Sequence, residues 1–252
     1  MSPRTRLLVE VVIVGSVSLG ASAMYSVLRI IERLTRHVAL NQQTSSINTA
    51  ATPDRPWLSL LYQVADLLTL VAPVALALYL LASVRVPAEG WRGCMGLTRW
   101  PQRRDWLIGA VLFAGIGIPG LGLYLLARQL GLNTTVQAAN LGEHWWTVPV
   151  LVLAAAGNGL LEEVLMVGYL FTRFRQAGLA PWVGWLVSAV VRGSYHLYQG
   201  FGGFVGNLVM GLVLGSIFLR TKRVWPLVLA HFLLDVASFV GYSLLAGRLS
   251  WL

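Results

Sequence analysis

Seven polar side chains stand out from an apolar background: Asn158, Glu162, Glu163, Arg192, His196, His231 and Asp235. Asn158 and Glu162 are four residues apart, as are Arg192 and His196, and His231 and Asp235. Residues i and i+4 of a helix share a face one turn apart, so each of three segments carries one polar stripe. Two glutamates, two histidines, an aspartate and an arginine form an acid/base set. Together they can hold and activate a water, polarise a carbonyl and protonate a leaving amine. Glu162, His196 and His231 could equally make a three-ligand His/His/Glu zinc centre. The chain has no His-Glu-x-x-His, and the residue types leave metal-dependent and metal-free chemistry both open.

The elements that must position this set are apolar. No charge falls between Thr147 and Leu161, and none between Val164 and Thr172. An isolated carboxylate in such a medium shifts its pKa, finds a cation or faces a polar cavity. Intramembrane acids are functional-site candidates for that reason. Arg192 is the one basic residue inside an apolar segment and is the expected counter-charge to Glu162 or Glu163, because two uncompensated buried carboxylates are costly. Asp66 and Glu10 stand apart from the set. Asp66 is expected to pair with an arginine or to line the same cavity with Gln63 and Thr69, in a structural role. Glu10 is close enough to the N-terminus to reach headgroups.

Of the 252 residues, 56% are hydrophobic and only 12% charged, about half the charged share of a soluble domain. The expected fold is all-α and integral to the membrane, a single polytopic domain over residues 1–252. Seven segments of spanning length can be drawn: Leu7–Leu28, Trp57–Val84, Trp106–Ala127, Trp146–Phe171, Pro181–Leu197, Gly202–Leu219 and Val224–Leu245. Trp57, Trp91, Trp100, Trp106, Trp145, Trp146 and Trp225 fall near segment ends, as an interfacial aromatic belt would. The polar stretch from Arg29 to Arg55, including Thr44–Thr49, reads as an exposed loop after an amphipathic helix end.

The net charge of +9 needs no nucleic acid to explain it. Twelve basic residues (Arg4, Arg6, Arg85, Arg92, Arg99, Arg103, Arg104, Arg173, Arg175, Arg220, Lys222 and Arg223) fall on one side of the drawn bundle, and six (Arg29, Arg33, Arg36, Arg55, Arg128 and Arg248) on the other. That asymmetry predicts the N-terminus inside and the C-terminus outside. Cys94, the sole cysteine, then lies on the cytosolic side as a free thiol. Arg4 and Arg6 before an apolar run, with Ala21-Ser22-Ala23 after it, have the outline of a signal peptide. Glu10 interrupts the run and the helical pattern continues through Leu28, which favours an uncleaved first helix.

The stripes resemble the three motifs of the CPBP family, the CAAX proteases and bacteriocin-processing (Abi) membrane enzymes. That family carries Glu-Glu-x-x-x-Arg, Phe-x-x-x-His and His-x-x-x-Asn/Asp on successive helices. Here they read Glu162 to Val167, Arg192 to His196, and His231 to Asp235. The resemblance covers residues 150–240; residues 1–146 match only in being membrane-spanning. It implies a multi-pass cell-membrane protease with Glu162 activating a water, His196 assisting, His231 and Asp235 forming the oxyanion site, and Glu163 orienting the assembly. No cofactor is implied, although the family has carried a metalloprotease label; the partners would be the bilayer and a membrane-associated, conceivably lipidated, peptide or protein substrate. Two positions depart from the pattern: Val167 stands where the first motif has Arg, and Arg192 where the second has Phe. Together they read as a cation moved from one helix to its neighbour.

Alternatives from other classes remain at this point. A catalytically inactive membrane scaffold or immunity protein would tolerate the missing arginine. A proton-coupled transporter would predict internal repeats, and the sequence shows none. Depth is an open question: on a straight helix from Pro181, His196 lies near the outer end, whereas His231 lies in the cytosolic third of its own. The glycines of Gly115-x-Gly117 and Gly211-x-x-x-Gly215 permit close helix contacts, within the chain or between chains.

Overall fold

The computed structural model describes residues 1–83, 90–97, 99–246 and 248. Arg85, the end of the second segment at Val84, and the Trp91 side chain lie outside the described residues. The first helix, α1, runs Pro3–Ser16, with the Ser2 hydroxyl accepting from the Thr5 amide and proline in the first turn, a favourable start. It does not continue to Leu28 as one rod. The chain bends by 53° into α2, Leu19–Thr35. A Cβ at Gly20 would lie 2.6 Å from the Gly15 carbonyl oxygen, so the tight bend requires glycine there, and the Ser18 hydroxyl occupies the Val14 carbonyl at 2.6 Å. Inserted side-chain hydrogen bonds and Gly/Ser pairs are common causes of helix kinks.

Thr44–Thr49 is a strand, β1, not a loop, and it pairs in parallel with β2, Thr135–Asn140, with Thr44 opposite Thr135 and Thr49 opposite Asn140. Between them run α3 (Pro56–Ser83), the short α4 (Gly90–Cys94) and α5 (Arg103–Gln129). Asp105 closes the N-terminus of α5 by accepting from the Gln102 amide, and Arg223 donates to both of its oxygens at 2.8 and 2.6 Å.

A composite helix follows: α6 (Thr147–Glu163), a π-helical stretch over Val164–Tyr169, then α7 (Leu170–Gln176). The chain turns into α8 (Pro181–His196), makes a 3₁₀ turn at Leu197–Gln199, reverses at Gly200 (φ 121°), and returns as α9 (Phe201–Thr221) and α10 (Trp225–Leu245).

Five helices, or six if the bent α1–α2 pair is one span, are long and apolar enough to cross a bilayer. With only sixteen residues, α8 falls short of the ~20 that a straight span needs. The protein is thus a multi-pass membrane protein. Two packs face each other: α8 lies on α9 with α2 behind it, α6 lies on α10 with α3 behind it, and α5 touches both α9 and α10. Small residues allow the approach. A Cβ on Gly211 would sit 2.8 Å from Ala189 Cα, and one on Gly159 would sit 3.1 Å from the Val228 carbonyl. Gly211 and Gly215 therefore serve contacts within the chain, Gly215 lying against Trp185.

Candidate active site

Glu162 and Glu163 end α6, where the backbone passes from α into π geometry. π-turns recur at functional sites because they re-aim side chains within one helix. Glu163 is fully buried and Glu162 is 8% exposed. On α8 the residues Arg192, Tyr195 and His196 turn toward them; on α10 His231 and Asp235 do so. The three stripes converge.

Arg192, fully buried, binds both glutamates: Nη2 donates to Glu163 Oε1 at 2.7 Å and Nη1 to Glu162 Oε2 at 3.1 Å. Val167, at the first-motif arginine position, is fully buried in the apolar core. The cation is on α8 and the valine position is dry. His231 Nδ1 lies 2.8 Å from Glu163 Oε1; a carboxylate accepts only, so Nδ1 carries the proton. Glu163 thus holds Arg192 and His231 in one arrangement. His231 Nε2 then faces Glu162 Oε2 at 3.9 Å and Asp235 Oδ1 at 3.8 Å. Asn158 donates to Asp235 Oδ2 at 3.0 Å.

The two oxygens of Glu162 have different surroundings. Oε2 accepts from Arg192 and from the Tyr195 hydroxyl. Among the described residues Oε1 takes no hydrogen bond, and it faces His196 Nε2 at 4.0 Å. His196 Nε2 is itself buried without a partner, while Gln199 Nε2 lies 3.4 Å from Nδ1. An unbonded carboxylate oxygen and an unbonded imidazole nitrogen therefore face one another across a gap wider than a hydrogen bond.

His196 and His231 meet on one carboxylate because α8 stops short. The chain ends α8 at His196 and folds back at Gly200, and this reversal is covered rather than exposed at a membrane surface. The Ser26 hydroxyl of α2 accepts from the Tyr198 amide at 2.6 Å, and the Gln199 carbonyl accepts from the Thr134 amide at 2.8 Å. Ser45 of β1 donates to the Tyr198 carbonyl and accepts from Thr134. The ribbon and α2 together plug the end of the short helix.

A zinc ion does not fit the residues present. Oxygen and nitrogen ligands about tetrahedral zinc stand ~3.3 Å apart, whereas the Glu162–His pairs are 3.9 and 4.0 Å apart. The Arg192 guanidinium already bonds Glu162 Oε2, and a fixed cation there repels a second one. Among the described residues no group of three or more His, Cys, Asp or Glu has the geometry to hold a metal ion.

Tyr195 is the site residue that the spacing argument misses. Its signal was present, since it lies three residues after Arg192 on the same face. Asp66 and Glu10 also differ from expectation. Asp66 makes no ion pair among the described residues and does not join the site; its side chain is exposed on α3. Glu10 reaches inward instead of to headgroups, accepting from Arg173 Nε at 2.7 Å and from the Tyr169 hydroxyl at 2.8 Å. Arg173 is no loop residue: it is fully buried on α7 and also donates to the Leu80 carbonyl and to Gln176. Arg192 is therefore not the sole cation inside a helix. Cys94 is free and buried, with Arg175 Nη2 2.9 Å from its sulfur.

Residues 144–237, which hold every residue of this site, match the family described as type II CAAX prenyl endopeptidase Rce1-like, and the match supports the CAAX-protease resemblance of the three motifs. No curated protein and no solved structure matches the chain.

Proposed function

We propose that this chain, placed among the CAAX proteases by residues 144–237, is an intramembrane endopeptidase that hydrolyses a peptide bond of a membrane-associated substrate with a glutamate-activated water. The observation that carries the reading is the pair of unbonded atoms, Glu162 Oε1 and His196 Nε2, 4.0 Å apart inside the bundle. A water hydrogen-bonded to both is oriented by the imidazole and loses its proton to Oε1 as its oxygen attacks the substrate carbonyl carbon. Tyr195 and Arg192 hold Oε2, so the free oxygen is the one that faces the water. His231, protonated on both ring nitrogens, presents Nε2–H to the developing oxyanion, with Asp235 and Asn158 behind it. Glu162 then passes its proton to the amide nitrogen, the C–N bond breaks, and the amine and the acid leave.

Within this reading Glu163 is a positioning residue, since its hydrogen bonds among the described residues are with Arg192 and His231. Arg192 supplies the counter-charge that Val167 cannot. The basic asymmetry supports the N-terminus inside and the C-terminus outside a cell membrane. The ribbon would then lie on the outer side, because the α2–α3 and α5–α6 connections fall at one end of the bundle.

The test is cleavage of a membrane-peptide library by purified wild-type protein and by Glu162→Gln, in detergent, with and without a chelator. Wild-type cleavage should persist in chelator and vanish in the variant. Cleavage by Glu162→Gln would end the glutamate mechanism, and loss in chelator would end the metal-free one.

A further inference from the structure

The charged side chains of the spans are either buried in pairs or gathered at helix ends, with one exception. Among the described residues of the five straight spans, Asp66 is the one charged side chain that is exposed and more than two turns from either end of its helix. The 28 residues of α3 extend ~42 Å at ~1.5 Å per residue, the full ~40–45 Å of a bilayer with its headgroups. Asp66 is ten residues from Pro56, so ~15 Å along the helix. Each headgroup layer takes ~5–7 Å of the bilayer thickness, which leaves Asp66 well inside the hydrocarbon. An aspartate side chain is too short to reach back to water from there.

Its surroundings offer no relief. Leu61, Val64 and Leu68 around it are exposed to lipid, and the Thr69 hydroxyl donates to the Asp66 backbone carbonyl rather than to the carboxylate. Tyr62, four residues before, is 49% exposed on the same face. Tyr62, Asp66 and Thr69 therefore form a polar stripe at helical spacing on an outward surface. The side of α3 that packs inward runs beside the stripe, through buried Ser59 and Gln63 to Leu70, which fills the space beside Gly157 of α6.

We propose that this stripe docks a transmembrane helix of a second protein that carries a lysine or arginine at the depth of Asp66. A carboxylate in hydrocarbon asks for a cation. A second copy docked through the same face would bring like charges together, and its exposed Arg29, on α2, already lies over the Tyr198 ring of its own chain. The partner is therefore a different membrane protein, bound on the α3 side of the bundle, away from the α8 reversal.

The test uses the full chain in lipid nanodiscs with a donor fluorophore. The probes are synthetic leucine-rich transmembrane peptides with an acceptor, bearing one lysine ~10 Å below the headgroups or leucine in its place. The lysine peptide should bind at least tenfold tighter than the leucine peptide. Asp66→Asn should abolish that difference, and Asp66→Lys should transfer the preference to a peptide with glutamate at the same depth. Equal binding of the lysine and leucine peptides would overturn the proposal, as would a preference that survives Asp66→Asn. Self-association of the chain that depends on Asp66, read by energy transfer between two labelled copies, would overturn the choice of a second protein.

Discussion

Arg192 is the one guanidinium among three carboxylates, and its removal should be the most damaging single change in the pocket. Arg192→Met keeps much of the side-chain volume and deletes the charge. It leaves Glu162 and Glu163 facing one another with no fixed cation, and it removes the 2.7 and 3.1 Å hydrogen bonds that hold them. Stripping one partner from a buried ion pair costs ~3–5 kcal/mol. At ~1.4 kcal/mol per decade, 4 kcal/mol is roughly a thousandfold in the folding equilibrium. The assay is reversible unfolding of the purified protein in mixed micelles by titration with a denaturing detergent. Arg192→Phe, which installs the residue common at this position in the family's second motif, should be as unstable, because Val167 offers no replacement charge. Most of Arg192's energetic coupling should be with Glu163, its fully buried partner. Glu163→Gln/Arg192→Met should therefore recover at least ~2 kcal/mol relative to the sum of the single variants, a coupling of the size that neighbours in one network show. If Arg192→Met unfolds within ~1 kcal/mol of wild type, or if the two substitutions simply add, the counter-charge argument is wrong.

The other expectations are narrower. Tyr195→Phe removes one donor from Glu162 Oε2 and should lower kcat with little change in KM, with a stability loss of ~1.5–3 kcal/mol typical of a hydrogen bond to a charged group, read by steady-state kinetics and unfolding together. His196→Ala and His231→Ala should each lower kcat by ~10²–10⁴, the range for positioned proton-handling groups, while the proteins stay folded by circular dichroism. Gly211→Ala should cost ~1–3 kcal/mol through overpacking, since its Cβ would press on Ala189 and lie 3.3 Å from Arg192 Cδ; activity should fall with it.

What the sequence made legible is tied to contrast. Glu162, Glu163, Arg192, His196, His231 and Asp235 are visible because each is polar in an apolar run, and their spacing of four assigns them to faces without any knowledge of contacts. Tyr195 lacks that contrast, since tyrosine is ordinary in a membrane helix, and its spacing from Arg192 gains meaning from where α8 stands against α6. The β1–β2 pair joins strands separated by α3, α4 and α5; Thr44, Ile47, Thr49, Thr135 and Val136 carry strand propensity, but a parallel pairing across that distance leaves no local pattern. Arg173 read as a loop cation because a 30-residue composite helix outruns the ~20 residues that a span requires.

The short α8 explains why the depth argument from a straight seven-helix bundle pointed two ways. A helix that stops at His196 must end its carbonyls and reverse its chain inside the protein, where unsatisfied backbone groups are costly. Ser26 of α2, Ser45 of β1 and Thr134 just before β2 supply partners for the reversal, and all three come from segments outside the three motifs. The kink at Gly15–Gly20 matters for the same reason. It lets α1 stay with α7, where Glu10 meets Arg173, while α2 swings to α8 and brings Ser26 to the turn. Straightening that kink, by Gly20→Leu for example, would withdraw Ser26 from the Tyr198 amide and loosen His196, whose Nε2 is held by packing rather than by a hydrogen bond. The N-terminal half, which shares no motif with the family, is on this argument what makes the depth of the proposed site possible.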